Sequence, residues 1–171
     1  MDHFARPDDE LAVAQRQGRL QRNFQGYSTQ PDCDMLAFGI SAIGRVGPSY
    51  YQNVKTLPEY YATLDAGRLP VARGVELTKD DIVRRTIIHS LACNFRVSRE
   101  AIEDAFLVDF DSYFSRELDE LRALQGDGLV ALGADDITVS AAGRLLVRRI
   151  CMVFDRYLRE RRERATYSKV V

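Results

Sequence analysis

Apolar residues recur at helical spacing through the last hundred residues, and this periodicity constrains the fold more than any other feature of the chain. In the first helix of this region they are Val83, Ile87, Leu91 and Phe95. A spacing of four residues places such side chains on one helix face, where they pack into a core. Thr78 and Asp81 have the spacing of a capping box at the start of that helix.

Two more helices, a β-hairpin and a closing helix are predicted behind this first helix. Ser98 caps a short helix, and a third helix begins near Asp109. Two short strands flank a polar turn at Ala134–Asp136. Ser140 is expected to cap one long helix with four apolar residues on one face: Leu146, Ile150, Val153 and Tyr157. Together these elements predict a winged-helix-like domain with one β-hairpin over residues 71–171.

The first 70 residues have a different pattern. Asp8 is the expected N-cap of a weak helix that ends near Gly18, and an ordered polar loop follows. The next run, Asp34–Gly44, is almost continuously apolar, and such a strand is usually buried on both faces. We therefore expect it to be the last strand of a larger sheet. A helix is predicted from Leu57 to Ala66, followed by a connector over residues 67–77, so the predicted class is α+β, mostly helical.

Composition and charge exclude several classes of function. The chain has 171 residues, of which 46% are hydrophobic and 29% charged, with a formal net charge of −1. A near-neutral chain has no global field that attracts nucleic acid or an anionic membrane. No apolar run approaches the roughly 18 residues of a membrane-spanning helix, and the N-terminus lacks the pattern of a signal peptide. We therefore expect a cytoplasmic protein that binds neither nucleic acid nor membrane.

Few residues qualify as metal ligands or catalytic groups. Cys33, Cys93 and Cys151 lie far apart in sequence, so no CxxC spacing exists and no metal site is predicted. His89 lies between apolar residues of a helix and is expected in the core or at its boundary. His3 has Asp2 and Arg6 close by and remains a candidate.

A winged-helix layout raises the question of DNA binding, which the charges of the third helix disfavour. That helix carries more acidic than basic residues: Asp111, Glu117, Asp119 and Glu120 against Arg116 and Arg122. Such a face repels phosphate. The arginine-rich end of the chain, RYLRERRER, is interpreted as a solvated helix end with i,i+4 ion pairs.

Five strings in order carry a resemblance to a known family. They are MDHFARPDDELAVAQ, RNFQGY, SAIG, YYQNVKTLPEYY and GRLLVRRICMVFDRYL. In this order they resemble the oxygen-independent coproporphyrinogen III oxidases, radical S-adenosylmethionine enzymes of haem biosynthesis. The resemblance covers essentially the whole chain and corresponds to the C-terminal part, somewhat over a third, of that family's sequence.

The resemblance implies a fold and a reaction. Residues 1–70 would be the closing segment of a partial β/α barrel, and residues 71–171 the family's C-terminal helical domain. In the family, a CxxxCxxC motif holds a [4Fe–4S] cluster whose open iron binds S-adenosylmethionine. The resulting radical abstracts hydrogen from a propionate of coproporphyrinogen III, and loss of CO₂ leaves a vinyl group. This chain lacks the motif, so by itself it is predicted to be inactive, with no cofactor bound and no catalytic residue.

The resemblance also implies contacts to the cofactor. Ile43, in the SAIG string, would contact S-adenosylmethionine, and Gln25, in RNFQGY, would reach a second molecule of it. His3 would face the mouth of the active site. Two alternatives stay open: a stand-alone accessory module that binds a tetrapyrrole or a partner protein, and a winged-helix DNA-binding regulator. Self-association through the exposed strand within residues 34–44 is a further expectation.

Overall fold

The computed structural model describes residues 4–30 and 33–167, with the side chains described up to residue 161. Contacts divide the chain into two compact units. One comprises residues 21–82, and the other joins the residues up to 20 with those from 83 onward. These units do not coincide with the predicted division between residues 70 and 71, which stays a prediction about the domains of the complete protein.

Residues 21–82 form two small antiparallel sheets and one helix. Strands β1 (Gln21–Asn23) and β2 (Gly26–Ser28) make a hairpin. A second sheet has the order β3-β4-β5, with β3 Ile43–Val46, β4 Ser49–Asn53 and β5 Val71–Glu76. Helix α2 (Leu57–Asp65) connects β4 to β5 and has Pro58 in its first turn, as predicted.

The predicted buried strand over Asp34–Gly44 is wrong. Strand β3 begins only at Ile43, and in the preceding loop Leu36 is 66% and Phe38 83% exposed. Positive φ angles at Gly39 (94°) and Ser41 (56°) interrupt the extended conformation. The apolar run is therefore a loop over a sheet, not a strand within one.

The expected connector over residues 67–77 and the expected loop before residue 34 also differ from the structure. Val71–Glu76 pairs with β4 as an edge strand, and its backbone satisfies hydrogen-bonding groups that β4 would otherwise leave unpaired. In the loop, Asn23 Oδ1 accepts a hydrogen bond from Gln25 N at 2.8 Å, and Gly26 has a φ of 137°. These two features close the β1–β2 turn.

The second unit has the predicted winged-helix-like arrangement. It contains α1 (Glu10–Arg16) and most of α3 (Lys79–Asn94), followed by β6 (Arg96–Ser98), α4 (Arg99–Phe106), α5 (Phe110–Tyr113), α6 (Ser115–Gly126), β7 (Val130–Leu132) and β8 (Asp136–Val139). The hairpin of β7 and β8 gains β6 as a third strand, in the order β6-β8-β7. The N-cap of α1 is Asp9, one residue after the predicted Asp8.

Helix caps and core follow the sequence pattern in this unit. The hydroxyl of Ser98 accepts from Ala101 N, and the carboxylate of Asp109 accepts from Ser112 N. The core contains every apolar residue predicted for the inner face of α3 except Phe95, which is partly buried against it. At its centre the ring of Phe114 lies 5.0 Å from that of Phe110 and 5.6 Å from that of Phe154, centroid to centroid.

The predicted long closing helix is broken into four pieces. These are α7 (Ala141–Leu145), α8 (Val147–Cys151), a 3₁₀ turn (Met152–Phe154) and α9 (Arg156–Tyr167). The break before α9 lies at Asp155, whose backbone is extended and whose carboxylate accepts from Leu158 N at 2.9 Å. An N-cap inside an apolar periodicity thus starts a new helix. Ile150 and Val153 are buried as predicted, whereas Leu146 and Tyr157 are half exposed.

The α+β, mostly helical class is confirmed, with small sheets between helices. Among the residues that the structure describes, no helix is long and apolar enough to cross a membrane.

Candidate functional site

Ile43 lies on an open face of the β3-β4-β5 sheet. The register places Ile43 opposite Gln52, which is in turn opposite Arg73. Directly paired residues share one face of a sheet, so these three side chains form a row. Beside them lies a depression of about 240 Å³ that is open to solvent; its lining includes Ile43, Tyr50, Gln52, Arg73 and Val75.

On the opposite face of the sheet, the ring of Tyr51 packs between two glycines. Gly44 and Gly74 flank Tyr51 on the neighbouring strands. A Cβ at Gly44 would lie only 2.3 Å from Cζ of the Tyr51 ring, so the ring occupies the space of a missing side chain. The Tyr51 hydroxyl accepts a hydrogen bond from Ala37 N at 3.0 Å. This packing fixes the start of β3 and with it the position of Ile43.

The polar rim of the depression is a hydrogen-bonded chain of three residues. Arg73 donates from Nε and Nη2 to Gln52 Oε1, at 3.0 and 2.7 Å. Gln52 Nε2 donates to the carbonyl oxygen of Ser41 at 3.0 Å. The side chain of Gln52 is therefore held at both ends, and it orients the guanidinium of Arg73.

Gln25 lies in the β1–β2 turn with an exposed side chain. Its neighbour Phe24 packs edge-to-face on Tyr50, with ring centroids 5.5 Å apart and an interplanar angle of 88°. The fold thus brings the turn next to the depression through Phe24, while Gln25 itself is not among the lining residues. Sequence reasoning missed Phe24, Tyr50 and Arg73, because a ring contact and a strand pairing bring together segments more than 20 residues apart.

The three cysteines do not fit an iron–sulfur cluster. Cys33 is exposed, Cys93 is buried, and Cys151 is partly buried. Burial raises the pKa of the Cys151 thiol to about 12, and its Sγ donates to the carbonyl oxygen of Ile88 at 3.7 Å. A cluster ligand must be a thiolate, which this environment opposes. Within residues 4–30 and 33–161, no three potential metal-ligating side chains form a group that could hold a metal ion.

One of the two histidines lies in the part of the chain that the structure describes. His89 is half-buried on α3, in agreement with its predicted place in the core or at its boundary. His3 lies outside the described residues.

Glu117 on α6 corrects the interpretation of both the third helix and the arginine-rich end. It was expected on a solvated face, but it is only 2% exposed and forms ion pairs with Arg84 (2.7 Å) and Arg159. Burial raises the pKa of Glu117, but hydrogen bonds from Arg159 and Arg84 outweigh this effect and hold the pKa below its usual value. Arg159 thus belongs to the packed unit rather than to a solvated helix end.

The chain is similar in sequence to a known protein family. Residues 77–146 match the family described as the HemN C-terminal domain. The whole chain is 50% identical to the oxygen-independent coproporphyrinogen III oxidase of Salmonella typhimurium (strain LT2) and 51% identical to that of Escherichia coli (strain K12), covering 37% of each. It is 48% identical to the protein of the same name from Thermostichus vulcanus, covering 53% of it.

A solved structure agrees in backbone as well as sequence. It is the coproporphyrinogen III oxidase (HemN) from Escherichia coli, described as a radical SAM enzyme. The match has a TM-score of 0.89 and 53% identity, and it covers 92% of this chain and 36% of the other. The chain thus spans a little over a third of the length of the first relatives named above. The predicted resemblance is confirmed: residues 77–146 match the HemN C-terminal domain, and the whole chain is similar to part of the oxygen-independent coproporphyrinogen III oxidases.

Proposed function

We propose that this chain is a segment of an oxygen-independent coproporphyrinogen III oxidase and serves the oxidative decarboxylation of coproporphyrinogen III to protoporphyrinogen IX in the cytoplasm. The observation that carries the proposal is the agreement of sequence and backbone with the Escherichia coli enzyme over 92% of the chain. Identity of 53% at a TM-score of 0.89 supports a common role for the segment as well as a common fold.

The chemistry of the reaction is assigned to the rest of the enzyme. A radical SAM enzyme uses S-adenosylmethionine and an iron–sulfur cluster, and the cofactor supplies the hydrogen-abstracting radical when bound. The burial of Cys93 and the raised pKa of Cys151 support a cluster held by other cysteines. The segment alone is therefore proposed to be inactive, and it contributes binding and positioning.

Ile43 is the residue proposed to contact S-adenosylmethionine. It lies at the edge of an open depression, beside Tyr50 and Val75, where an adenosyl group finds an apolar and aromatic surface. Gln25 is proposed to reach a second molecule of the cofactor. The Phe24 ring holds the turn beside Tyr50, and this contact fixes the backbone from which the exposed amide of Gln25 extends.

A binding measurement on the complete, cluster-containing enzyme tests the role of Ile43. Ile43→Ala removes three carbons from the contact and is expected to weaken S-adenosylmethionine binding by about 5- to 150-fold, equivalent to about 1–3 kcal/mol. Ile43→Asp is expected to weaken it more, because it places a charge beside an apolar ring face.

The matched control is Val46→Ala, at the other end of the same strand and outside the depression. It should bind the cofactor as the wild type does, and the cluster content should be equal in all variants. Wild-type affinity in Ile43→Ala would show that the assignment of this face is wrong.

A second experiment concerns the chain alone. After reconstitution with iron and sulfide, it is expected to show no stable [4Fe–4S] absorption and no cleavage of S-adenosylmethionine. Stoichiometric iron that is lost on Cys33→Ala, Cys93→Ala or Cys151→Ala would contradict the proposed division of labour.

One observation counts against the DNA-binding alternative. Although Glu117 is buried and contributes no charge to the surface of α6, the exposed Arg122 is paired with the exposed Asp119. The helix that would read DNA therefore presents acidic groups beside its cations, which does not favour phosphate.

A further inference from the structure

The positively charged side chain of Arg73 is hydrogen-bonded to the uncharged side chain of Gln52. It lies at the rim of the depression, and among the described residues no carboxylate forms an ion pair with it. Its Nε and Nη2 both donate to the amide oxygen of Gln52. Because an amide carries no charge, this contact orients the guanidinium without neutralising it.

The free edge of Arg73 has the geometry of an anion site. A guanidinium has five N–H donors, and the Nε side is occupied by Gln52. The edge formed by the two terminal nitrogens keeps donors that match the two oxygens of a carboxylate. Gln52 is itself anchored on the Ser41 carbonyl oxygen, so the fork is oriented before a ligand arrives.

The floor beside this cation is apolar. Ile43, Tyr50 and Val75 line the depression together with Arg73, and Phe24 supports the Tyr50 ring from one side. We infer that Arg73 anchors a carboxylate of a ligand whose rings lie on the floor of Ile43, Tyr50 and Val75, with Gln52 as a positioning residue. The inference rests on the proposed function for the nature of the ligand.

Two sources supply this chemistry in the proposed reaction. One is the amino-acid carboxylate of S-adenosylmethionine, and the other is a propionate of the tetrapyrrole. A nuclear magnetic resonance titration of the 171-residue chain distinguishes them. One pair of probes is S-adenosylhomocysteine against 5′-methylthioadenosine, which lacks the carboxylate; the other is coproporphyrin III against its tetramethyl ester.

The wild-type chain is expected to bind one carboxylate probe at least tenfold more tightly than its carboxylate-free partner. The amide shifts should map to strands β3, β4 and β5. Arg73→Gln should weaken the carboxylate probe about tenfold or more and leave the carboxylate-free probe unchanged. Arg73→Lys keeps the charge but not the fork, so it should recover only part of the affinity.

Gln52→Leu separates positioning from structure. It should lower the preference for the carboxylate probe, while the amide chemical shifts of strands β3–β5 remain those of the folded sheet. Arg68→Gln is the matched control, because Arg68 is exposed in the same unit and outside the depression. It should leave both affinities unchanged.

The inference is overturned if neither carboxylate probe binds at strands β3–β5, or if Arg73→Gln and Arg68→Gln have equal effects. The proposed function has a separate test, since Ile43→Ala in the complete enzyme reports on the cofactor whatever Arg73 does. Loss of binding in Ile43→Ala with none in Arg73→Gln would reject the anchor and keep the proposed function.

Discussion

The two compact units are stabilised in different ways. The unit that runs from residue 83 onward has a continuous core, in which Phe110, Phe114 and Phe154 have no solvent exposure. In the described part of residues 21–82 the buried apolar side chains are only Val54 and Pro70, while large side chains such as Leu36 and Phe38 are exposed. The unit that runs from residue 83 onward therefore has the apolar burial of an independent domain, whereas residues 21–82 depend more on their hydrogen bonds.

The exposed apolar surface of residues 21–82 agrees with the proposal that this unit binds the cofactor. An exposed apolar loop and an open sheet face are surfaces on which a ligand or another part of a protein can pack.

The largest contrast is expected in hydrogen exchange. In the chain alone, the amides of Phe38 and Ile40 should open at almost no free-energy cost, whereas those in the middle of α3 should require about 5 kcal/mol or more. Exchange followed by mass spectrometry or nuclear magnetic resonance measures this. Strong protection of the loop in a monomer would remove the contrast between the units.

Self-association of the chain stays a prediction, although the strand on which it was based is a loop. Sedimentation at several concentrations, combined with the exchange experiment, tests it. Protection of Leu36 and Phe38 that rises with concentration would support association through this loop, and concentration-independent sedimentation would contradict it.

A pair of phenylalanine variants compares the two units in free energy. Phe110→Ala should lower the free energy of unfolding by about 3–5 kcal/mol, because it leaves a cavity in a closed core. Phe38→Ala should change it by less than about 0.5 kcal/mol, since the side chain is exposed. Urea unfolding followed by circular dichroism checks both values, and similar losses would show that the loop is packed.

The buried ion pairs of Glu117 are expected to have a smaller effect. Glu117→Gln should destabilise the fold by about 1.5–3 kcal/mol, because Arg84 and Arg159 lose a charged acceptor. The control is Glu120→Gln, on the exposed side of the same helix. A loss as large in the control would mean that net charge, not the buried pairs, causes the effect.

The pH dependence of the same variant has a definite sign. The pKa of Glu117 is lower in the fold than its usual 4.5, so the ionised carboxylate is the form that stabilises the fold. Its contribution is fully present above the usual pKa and is lost as the pH falls through the folded pKa. Wild type should therefore lose more stability than Glu117→Gln on acidification below pH 4.5. Parallel stability curves would show that Glu117 does not contribute in this way.

Substitutions of two glycines compare how closely side chains pack against the backbone in the two units. Gly44→Ala should cost about 1–3 kcal/mol in the 21–82 unit, because the new methyl group meets the Tyr51 ring. Gly126→Ala has open space and an ordinary backbone, so it should be neutral or slightly stabilising. Local opening of strands β3 and β4, measured by hydrogen exchange, distinguishes the two. Unchanged opening in Gly44→Ala would mean that Tyr51 moves aside freely.

The smallest effect is expected at the arginine-rich end. Arg161 is exposed, so Arg161→Ala should change stability by less than about 1 kcal/mol and leave cofactor binding in the complete enzyme unaltered. Arg159→Ala, two residues earlier, should destabilise more because Arg159 binds Glu117. Abolished cofactor binding in Arg161→Ala would require the helix end to belong to the active site.

The sequence by itself determined the winged-helix-like part of this protein. The periodicity of α3 and the caps at Ser98, Asp109 and Ser140 are local signals, and local hydrogen bonds and a one-sided apolar face are sufficient to form those helices. The five strings also determined the family resemblance, since their order along the chain needs no structure.

The tertiary structure alone decided the environment of the candidate site. An apolar run can be a buried strand or a loop, and positive φ angles at Gly39 and Ser41 selected the loop. The burial of Glu117 depends on two arginines 33 and 42 residues away in sequence. The row of Ile43, Gln52 and Arg73 exists because strands β3, β4 and β5 pair in one register. Pairing and burial are long-range properties, so no local pattern in the chain could have fixed them.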